Sequence, residues 1–403
     1  MRFNLKFLLL IFLFCSPLAF SQGERTFGLV ESIPEETILD NPNIRNTHEV
    51  WLEMINSAKY QINIEQFYIT SQKGEMLEDV LNAIVDAAKR GVKVNIIVDS
   101  KFFQIYPDDV SWLEAQSPNI TKHVIDFGRL ARGIQHAKFF MIDTTEMFMG
   151  SQNFDWRAIN HIHELGVRIA VPAIVKMYNA LFNSDWLYCE LNDGEPWPKP
   201  DGVFKTAYRV YDSQYDTLVI HPAMSPPPYI LLNGLSDEKN LVRMIDSAKE
   251  DICLQFLTYK TSLKSGGYYV LDSALVKAAG RGVKVKLIVS DWSIGEFAIG
   301  DLERLAGISN IEVKYSSIPE WSGGHIPYAR VEHLKFVTAD TDECWIGTAN
   351  AERSYFRNTR NVGVVVHNNK LASEVKSIFM KGWNGPYTHY IEPGKKYTPR
   401  KKE

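Results

Sequence analysis

Cysteine is scarce in this chain. The 403 residues hold four, Cys15, Cys189, Cys253 and Cys344, and no two lie close enough in sequence for zinc-type pairing. With Cys15 in a leader that is removed, the other three permit at most one internal bridge, so packing rather than disulfides is expected to hold the fold. An excess of one charge is missing too. Lys and Arg total 44 against 48 for Asp and Glu, a net charge of −4. No global basic field exists to draw a polyanion, and a nucleic-acid substrate would need a local positive cleft. Long apolar runs are absent after the first residues, so no later segment reads as transmembrane. Metal-ligand clusters are lacking as well, and no metal or cofactor is expected.

The first residues, MRFNLKFLLLIFLFCSPLAFSQGE, have a positive start at Arg2 and Lys6, a short apolar core and small residues at Ala19 and Ser21. The run is too short to span a bilayer. It reads as a signal peptide over 1–21, cut after Ser21, which predicts a protein that is secreted, periplasmic or in an organelle lumen.

What the chain does have is an internal repeat. MINSAK at 54–59 returns as MIDSAK at 244–249, and RGVKVNIIVD from Arg90 returns as RGVKVKLIVS from Arg281. Each copy reads as an amphipathic helix, an apolar strand, a second helix closed by Arg-Gly, and a buried strand. The Pro- and Gly-rich stretch within 192–230 is the natural seam. The expectation is an α/β protein of two related halves, 22–200 and 201–390, followed by a basic tail over 391–403 that reads as a solvated end.

Both copies carry His-x-Lys-x4-Asp: His136, Lys138 and Asp143 in HAKFFMID, and His333, Lys335 and Asp340 in HLKFVTAD. Read as strands, these segments point each His and Lys to one face. Each is followed by Gly-[Ser/Thr]-x-Asn, with Ser151 and Asn153 after Gly150, and Thr348 and Asn350 after Gly347. Glycine would permit a tight turn there, and the hydroxyl and amide could donate to an anion. Two such units sharing one site would gather two His, two Lys and two Asn. That inventory suits a phosphodiester. Lysines and amides would stabilise the charge of a five-coordinate transition state, one His would attack phosphorus, and the other would protonate the leaving oxygen. Asp143 and Asp340 are expected to brace strand and loop. Glu65 and Gln255 hold matching places on the first strand of each half and could reach the site or simply support it. Arg129, Arg132, Trp321 and Arg330 precede the motifs and read as a polar, basic mouth. Nearby aromatics, Phe102, Phe103, Trp156, Trp292, Tyr328, Tyr355 and Phe356, offer candidate stacking surfaces.

These motifs resemble those of the phospholipase D superfamily over nearly the whole mature chain. GSQNFDWRAINHIHELGV (150–167), IPYARVEHLKF (326–336), IGTANAERSYF (346–356) and GWNGPYTH (382–389) are most similar to its endolysosomal 5′-exonuclease branch. The resemblance implies a duplicated α-β-α sandwich, two pseudo-two-fold halves with one active site, and 5′-exonuclease activity on single-stranded DNA or RNA. Phospholipase or phosphatidyltransferase activity is the alternative, and non-catalytic binding a third. It also implies His136 as nucleophile, His333 as general acid, and Glu164 as the carboxylate that holds an imidazole. Asn361 stands where the second half would repeat that carboxylate, an asymmetry that could separate the two histidine pKa values. No obligate protein partner is implied, and because one chain holds both half-sites, catalysis does not demand a homodimer.

Overall fold

A computed structural model describes residues 25–192, 194–262, 267–295 and 298–403. The expected leader over 1–21 lies outside the described residues. The first half runs β1 (Phe27–Ser32), α1 (Thr47–Ser57), β2 (Gln61–Gln66), α2 (Met76–Lys89), β3 (Lys93–Asp99), β4 (Ile120–Ile125), β5 (Phe139–Ile142), β6 (Glu146–Gly150), β7 (Glu164–Ile169) and α3 (Pro172–Glu190). The second repeats it as β8 (Asp216–Ser225), α4 (Asp237–Ser247), β9 (Asp251–Phe256), α5 (Val270–Gly280), β10 (Lys284–Ser290), β11 (Ile311–Ser316), β12 (Phe336–Ala339), β13 (Glu343–Gly347), β14 (Asn361–His367) and α6 (Asn369–Asn384).

Strand order is the same in both sheets. The first reads β1-β7-β6-β5-β2-β3-β4 and the second β8-β14-β13-β12-β9-β10-β11, each with short strands added at its margins. In each half the α/β crossovers make a parallel group, β2-β3-β4 or β9-β10-β11, while the hairpin carrying the motif joins antiparallel at β2 or β9. The helix ends are set locally. Gly91 and Gly282, at φ of 98° and 95°, take the left-handed conformation that stops α2 and α5.

Each sheet covers its outer face with its own helix pair, α1 with α2 and α4 with α5. The inner faces share one apolar core. Phe139, Met149, Leu165 and Val167 from the first sheet pack with Phe336, Ile346, Val364 and Val366 from the second, together with α3 and α6. The halves are therefore joined by buried hydrocarbon, not by a linker alone. Cys189, Cys253 and Cys344 are unpaired thiols in this structure. Among the described residues no helix is long and apolar enough to cross a membrane.

The tail departs from expectation. Instead of lying free, it folds onto the second half. Arg400 reaches the carboxylate of buried Asp291 at 3.4 Å and donates to the Arg330 carbonyl at 3.0 Å. Lys402 lies 4.6 Å from the centroid of the Trp292 ring. A buried carboxylate and unclaimed carbonyls give a basic segment something specific to bind.

Candidate active site

The spacing of the motif has a structural cause. The four residues between Lys138 and Asp143 are β5 itself, and those between Lys335 and Asp340 are β12. At the strand end Asp143 turns into the left-handed region, φ 49°, and its carboxylate accepts the backbone N–H groups of Lys59, Tyr60 and Gln61 at 2.7–2.8 Å. Asp340, at φ 54°, does the same for Lys249, Glu250 and Asp251. These aspartates bind the turn between helix and strand and do not face the site.

His136 and Lys138 stand just before β5, not within the strand that the sequence predicts over 136–143. The difference arises because this segment pairs across the seam. Gln135 bridges Arg360, and His136 N–H donates to the Arg360 carbonyl at 3.0 Å. The equivalent segment of the second half pairs with the first, where His333 N–H donates to the His163 carbonyl at 2.9 Å. Each half thus positions its histidine on the backbone of the other.

Each imidazole is also held by the opposite half, and here the two differ. His136 Nδ1 lies 3.0 Å from Asn361 Oδ1. The Asn361 amide nitrogen donates to the Tyr355 carbonyl at 2.9 Å and the Thr359 carbonyl at 3.3 Å, which fixes its orientation. Oδ1 is therefore the acceptor, Nδ1 carries the proton, and Nε2 keeps a free lone pair. His333 Nδ1 instead meets both oxygens of Glu164, at 2.7 and 2.8 Å. Burial, then the charges of Lys138 and Lys335, hold His136 well below the usual imidazole range. Burial and the same two lysines lower His333, and burial pushes Glu164 well up. Burial thus disfavours charge on both members of the Glu164–His333 pair. One imidazole is backed by an amide and the other by a carboxylate.

Lys138 and Lys335 are fully buried beside the histidines. Lys138 Nζ donates to the His136 carbonyl at 2.7 Å, and Lys335 Nζ to the His333 carbonyl. Burial pushes Lys335 down to about 7, with Glu164 opposing the shift, and burial, then the charge of Lys335, holds Lys138 well below the usual amine range. An anion between these lysines replaces the missing countercharge and favours their protons. Sulfate, a dianion throughout, should therefore lose affinity as pH rises above about 7, approaching tenfold per pH unit. Binding above that pH should take up protons, measurable by calorimetry in two buffers of different ionisation enthalpy. Affinity constant from pH 6 to 9 would contradict this.

Asn153 and Asn350 line the same cleft, each with a buried carboxamide oxygen that has no partner in the protein. The Asn350 carboxamide also hydrogen-bonds the Tyr355 side chain. The hydroxyls of Ser151 and Thr348 are engaged within the fold. Ser151 Oγ donates to the Leu165 carbonyl at 3.2 Å, and Thr348 Oγ1 donates to Asn361 Oδ1 at 2.9 Å, so both brace the strand that supports the opposite histidine. Gly150 and Gly347 lack the positive φ of the expected tight turn. They face Gly166 and Gly363 across a strand pair, and a Cβ at Gly150 would lie 2.5 Å from Gly166 Cα. Close approach, not turning, requires them. Glu65 and Gln255 sit behind the site, where Glu65 accepts from Gln135 Nε2 at 3.2 Å and Gln255 Nε2 donates to Glu332 at 3.0 Å.

The cleft, about 400 Å³, gathers His136, His333, Asn153 and Asn350 at its base under walls that are mostly aromatic. Phe102, Trp292, Tyr328 and Tyr355 are there as expected. Phe356 is core, and Phe103 and Trp156 pack against the core. Arg129, Arg132, Trp321 and Arg330 do not line it, and buried Arg330 donates to the Pro319 and Glu35 carbonyls, each at 2.7 Å. Sequence reasoning missed Phe67, Tyr68, Tyr106 and Arg157. The signal was available, since ligands of α/β sheets gather beyond the carboxyl ends of strands, and Phe67 and Tyr68 directly follow β2. Tyr68 stacks on Phe102 at 5.7 Å and on Tyr106 at 4.9 Å, a ladder beginning beside Phe67, whose centroid is 4.9 Å from that of His136. Arg157 is the one arginine lining the cleft among the described residues, held by Asp155 through bonds of 2.6–3.1 Å.

The family model described as "Cardiolipin synthase, PLD-like domain" matches residues 51–186 and 241–383, one segment per half. Phospholipase D Z of Dictyostelium discoideum is 28% identical, with 89% of each chain covered. The 5'-3' exonuclease PLD3 of Rattus norvegicus is 30% identical, over 90% of this chain and 80% of its own. Among solved structures, phosphatidylserine synthase from Haemophilus influenzae superposes with a TM-score of 0.62 at 12% identity, over 85% of this chain and 84% of that one, which bears on the fold alone. With both halves matched and both motifs in one cleft, the chain belongs to the phospholipase D superfamily of phosphodiesterases.

Proposed function

We propose that this chain cleaves phosphodiesters through a phosphohistidine on His136, and that its substrate is single-stranded nucleic acid, shortened from the 5′ end. The observation that carries the reading is the unequal pair of histidines facing one cleft, the first with a neutral amide behind it and the second with a carboxylate. His136 Nε2 attacks phosphorus and forms the N–P bond. The bond from phosphorus to the leaving oxygen breaks, and that oxygen takes the proton of His333 Nε2. In the second step His333 Nε2 accepts a proton from water, the oxygen of that water attacks phosphorus, and the N–P bond breaks to restore His136. Lys138, Lys335, Asn153 and Asn350 surround the phosphoryl oxygens as negative charge builds.

The substrate class is supported by the aromatic ladder, which offers flat surfaces worth about 1–3 kcal/mol per stacked base, and by the relatives named as 5'-3' exonucleases. An exported or lumenal site of action goes with the leader read in the sequence. The deciding experiment gives purified protein oligonucleotides with 5′-hydroxyl or 5′-phosphate ends and, in parallel, phosphatidylcholine vesicles. Mononucleotide release that disappears in His136→Ala supports the reading, and headgroup release alone replaces it with a phospholipase.

Glu164→Gln tests the division of labour. Removing the carboxylate should lower turnover of unactivated diesters by roughly 10²–10⁴-fold and displace the limb of the pH–rate profile that reports the acid. An unchanged profile would refute a role for Glu164 in holding that proton.

A further inference from the structure

Residues 163–164 read His-Glu and residues 332–333 read Glu-His, and the two dipeptides meet across the seam. Each imidazole takes the other's carboxylate. His333 Nδ1 lies 2.7 Å from Glu164, and His163 Nδ1 lies 2.6 Å from Glu332 Oε2. The backbone closes the exchange, with His163 N–H donating to the Val331 carbonyl at 3.1 Å and His333 N–H to the His163 carbonyl at 2.9 Å. Gln255 Nε2 adds a bond of 3.0 Å to the same oxygen of Glu332. His163 and Glu332 are buried, and neither lines the cleft. Burial works against a proton on His163, but the Glu332 carboxylate outweighs it and holds the group above the usual imidazole range.

The related place in the other half-site is built differently. There Gln135-His136 meets Arg360-Asn361 with the same kind of backbone bridge, but the Gln135 side chain turns to Glu65 and the Arg360 guanidinium to Asp185. The reciprocal His–Glu exchange belongs to the His333 side alone. A structural latch would serve both sides equally. An exchange found only behind His333 points to a task specific to that ring.

We propose that His163 and Glu332 are positioning residues for His333, which lock the two dipeptides in register so that Glu164 meets Nδ1 and Nε2 is aimed at the leaving oxygen. This rests on His333 being the acid of the proposed reaction. An acid matters to a poor leaving group and little to an activated one. Glu332→Gln and His163→Asn should each slow cleavage of an oligonucleotide by roughly tenfold or more, yet leave the first-turnover burst of p-nitrophenol from bis(p-nitrophenyl) phosphate within about twofold of wild type, and His333→Asn should lose far more on the oligonucleotide than on the activated diester. Equal losses on both substrates, no loss on either, or failure of both variants to fold would overturn the positioning role. A burst abolished by His333→Asn would instead refute the underlying assignment of acid and nucleophile.

Discussion

His136→Ala should reduce turnover by about 10⁴-fold or more, because in the proposed reaction it removes a covalent step and not merely a contact. The neighbouring groups are otherwise engaged: His333 Nδ1 meets Glu164, and the Lys138 amine donates to the backbone carbonyl of residue 136 itself. The asparagine variant, His136→Asn, keeps a polar side chain in the space between Phe67 and Tyr355, whose ring centroids each lie 4.9 Å from that of the imidazole, and it should be as inactive. Quenching a first turnover in alkaline detergent provides the check. Wild-type protein should carry phosphorus in a base-stable, acid-labile linkage, and both variants should carry none. Label that persists without His136 would place the nucleophile elsewhere.

Arg360→Ala should have the largest effect on stability, about 3–5 kcal/mol, as when one partner of a buried ion pair is removed. Arg360 and Asp185 are both fully buried and joined by bonds of 2.7 and 2.9 Å. Arg360 also donates to the Ser225 carbonyl at 3.1 Å and the Tyr229 carbonyl at 2.6 Å, and its guanidinium lies 5.1 Å from the Phe127 ring and 5.5 Å from that of Trp197. Trp197 Nε1 donates to Asp185 at 2.6 Å, so removal of either partner strands several polar groups. Asp185→Ala should cost a similar amount. The double variant Arg360→Met, Asp185→Leu should recover much of the loss, since no lone charge then remains buried. Urea unfolding of the wild type, both alanine variants and the double variant Arg360→Ala, Asp185→Ala closes the cycle, and additive losses would deny the coupling. Activity should fall along with stability in Arg360→Ala, because the backbone carbonyl of this residue holds His136.

Much of this was legible in the sequence. The repeat announced two like halves, and the motif spacing announced the site, because each motif is a four-residue strand between a histidine end and an aspartate turn. Asp143 and Asp340 were read as braces, and they are. The hydroxyls of Ser151 and Thr348 misled, since a hydroxyl beside a glycine reads equally well as an anion donor or as a strand brace, and only the partner strand decides. Glu164 and Asn361 were recognisable as unequal. That each serves the histidine of the other half was not, because a linear pattern shows the periodicity of one strand and says nothing about which strand faces it across a seam. The cleft walls were half visible for the same reason. Aromatics close to the motifs in sequence, such as Phe356, went into the core, whereas Tyr68 and Tyr106, distant in sequence, arrive through strand ends.

The crossed support of the two histidines makes the chain a dimer folded into one polypeptide. A symmetric pair of identical subunits must give both histidines the same partner, and hence the same proton inventory. Two halves of one chain are free of that constraint, and here one supplies a carboxylate, Glu164, and the other an amide, Asn361. In the proposed reaction, division of labour between nucleophile and acid is then written into the ground state instead of being chosen anew at each turnover. It also means that no partly folded form can retain a fraction of the activity: with either half unfolded, the histidine of the other loses the backbone, the side-chain partner and the tautomer that make it chemically useful.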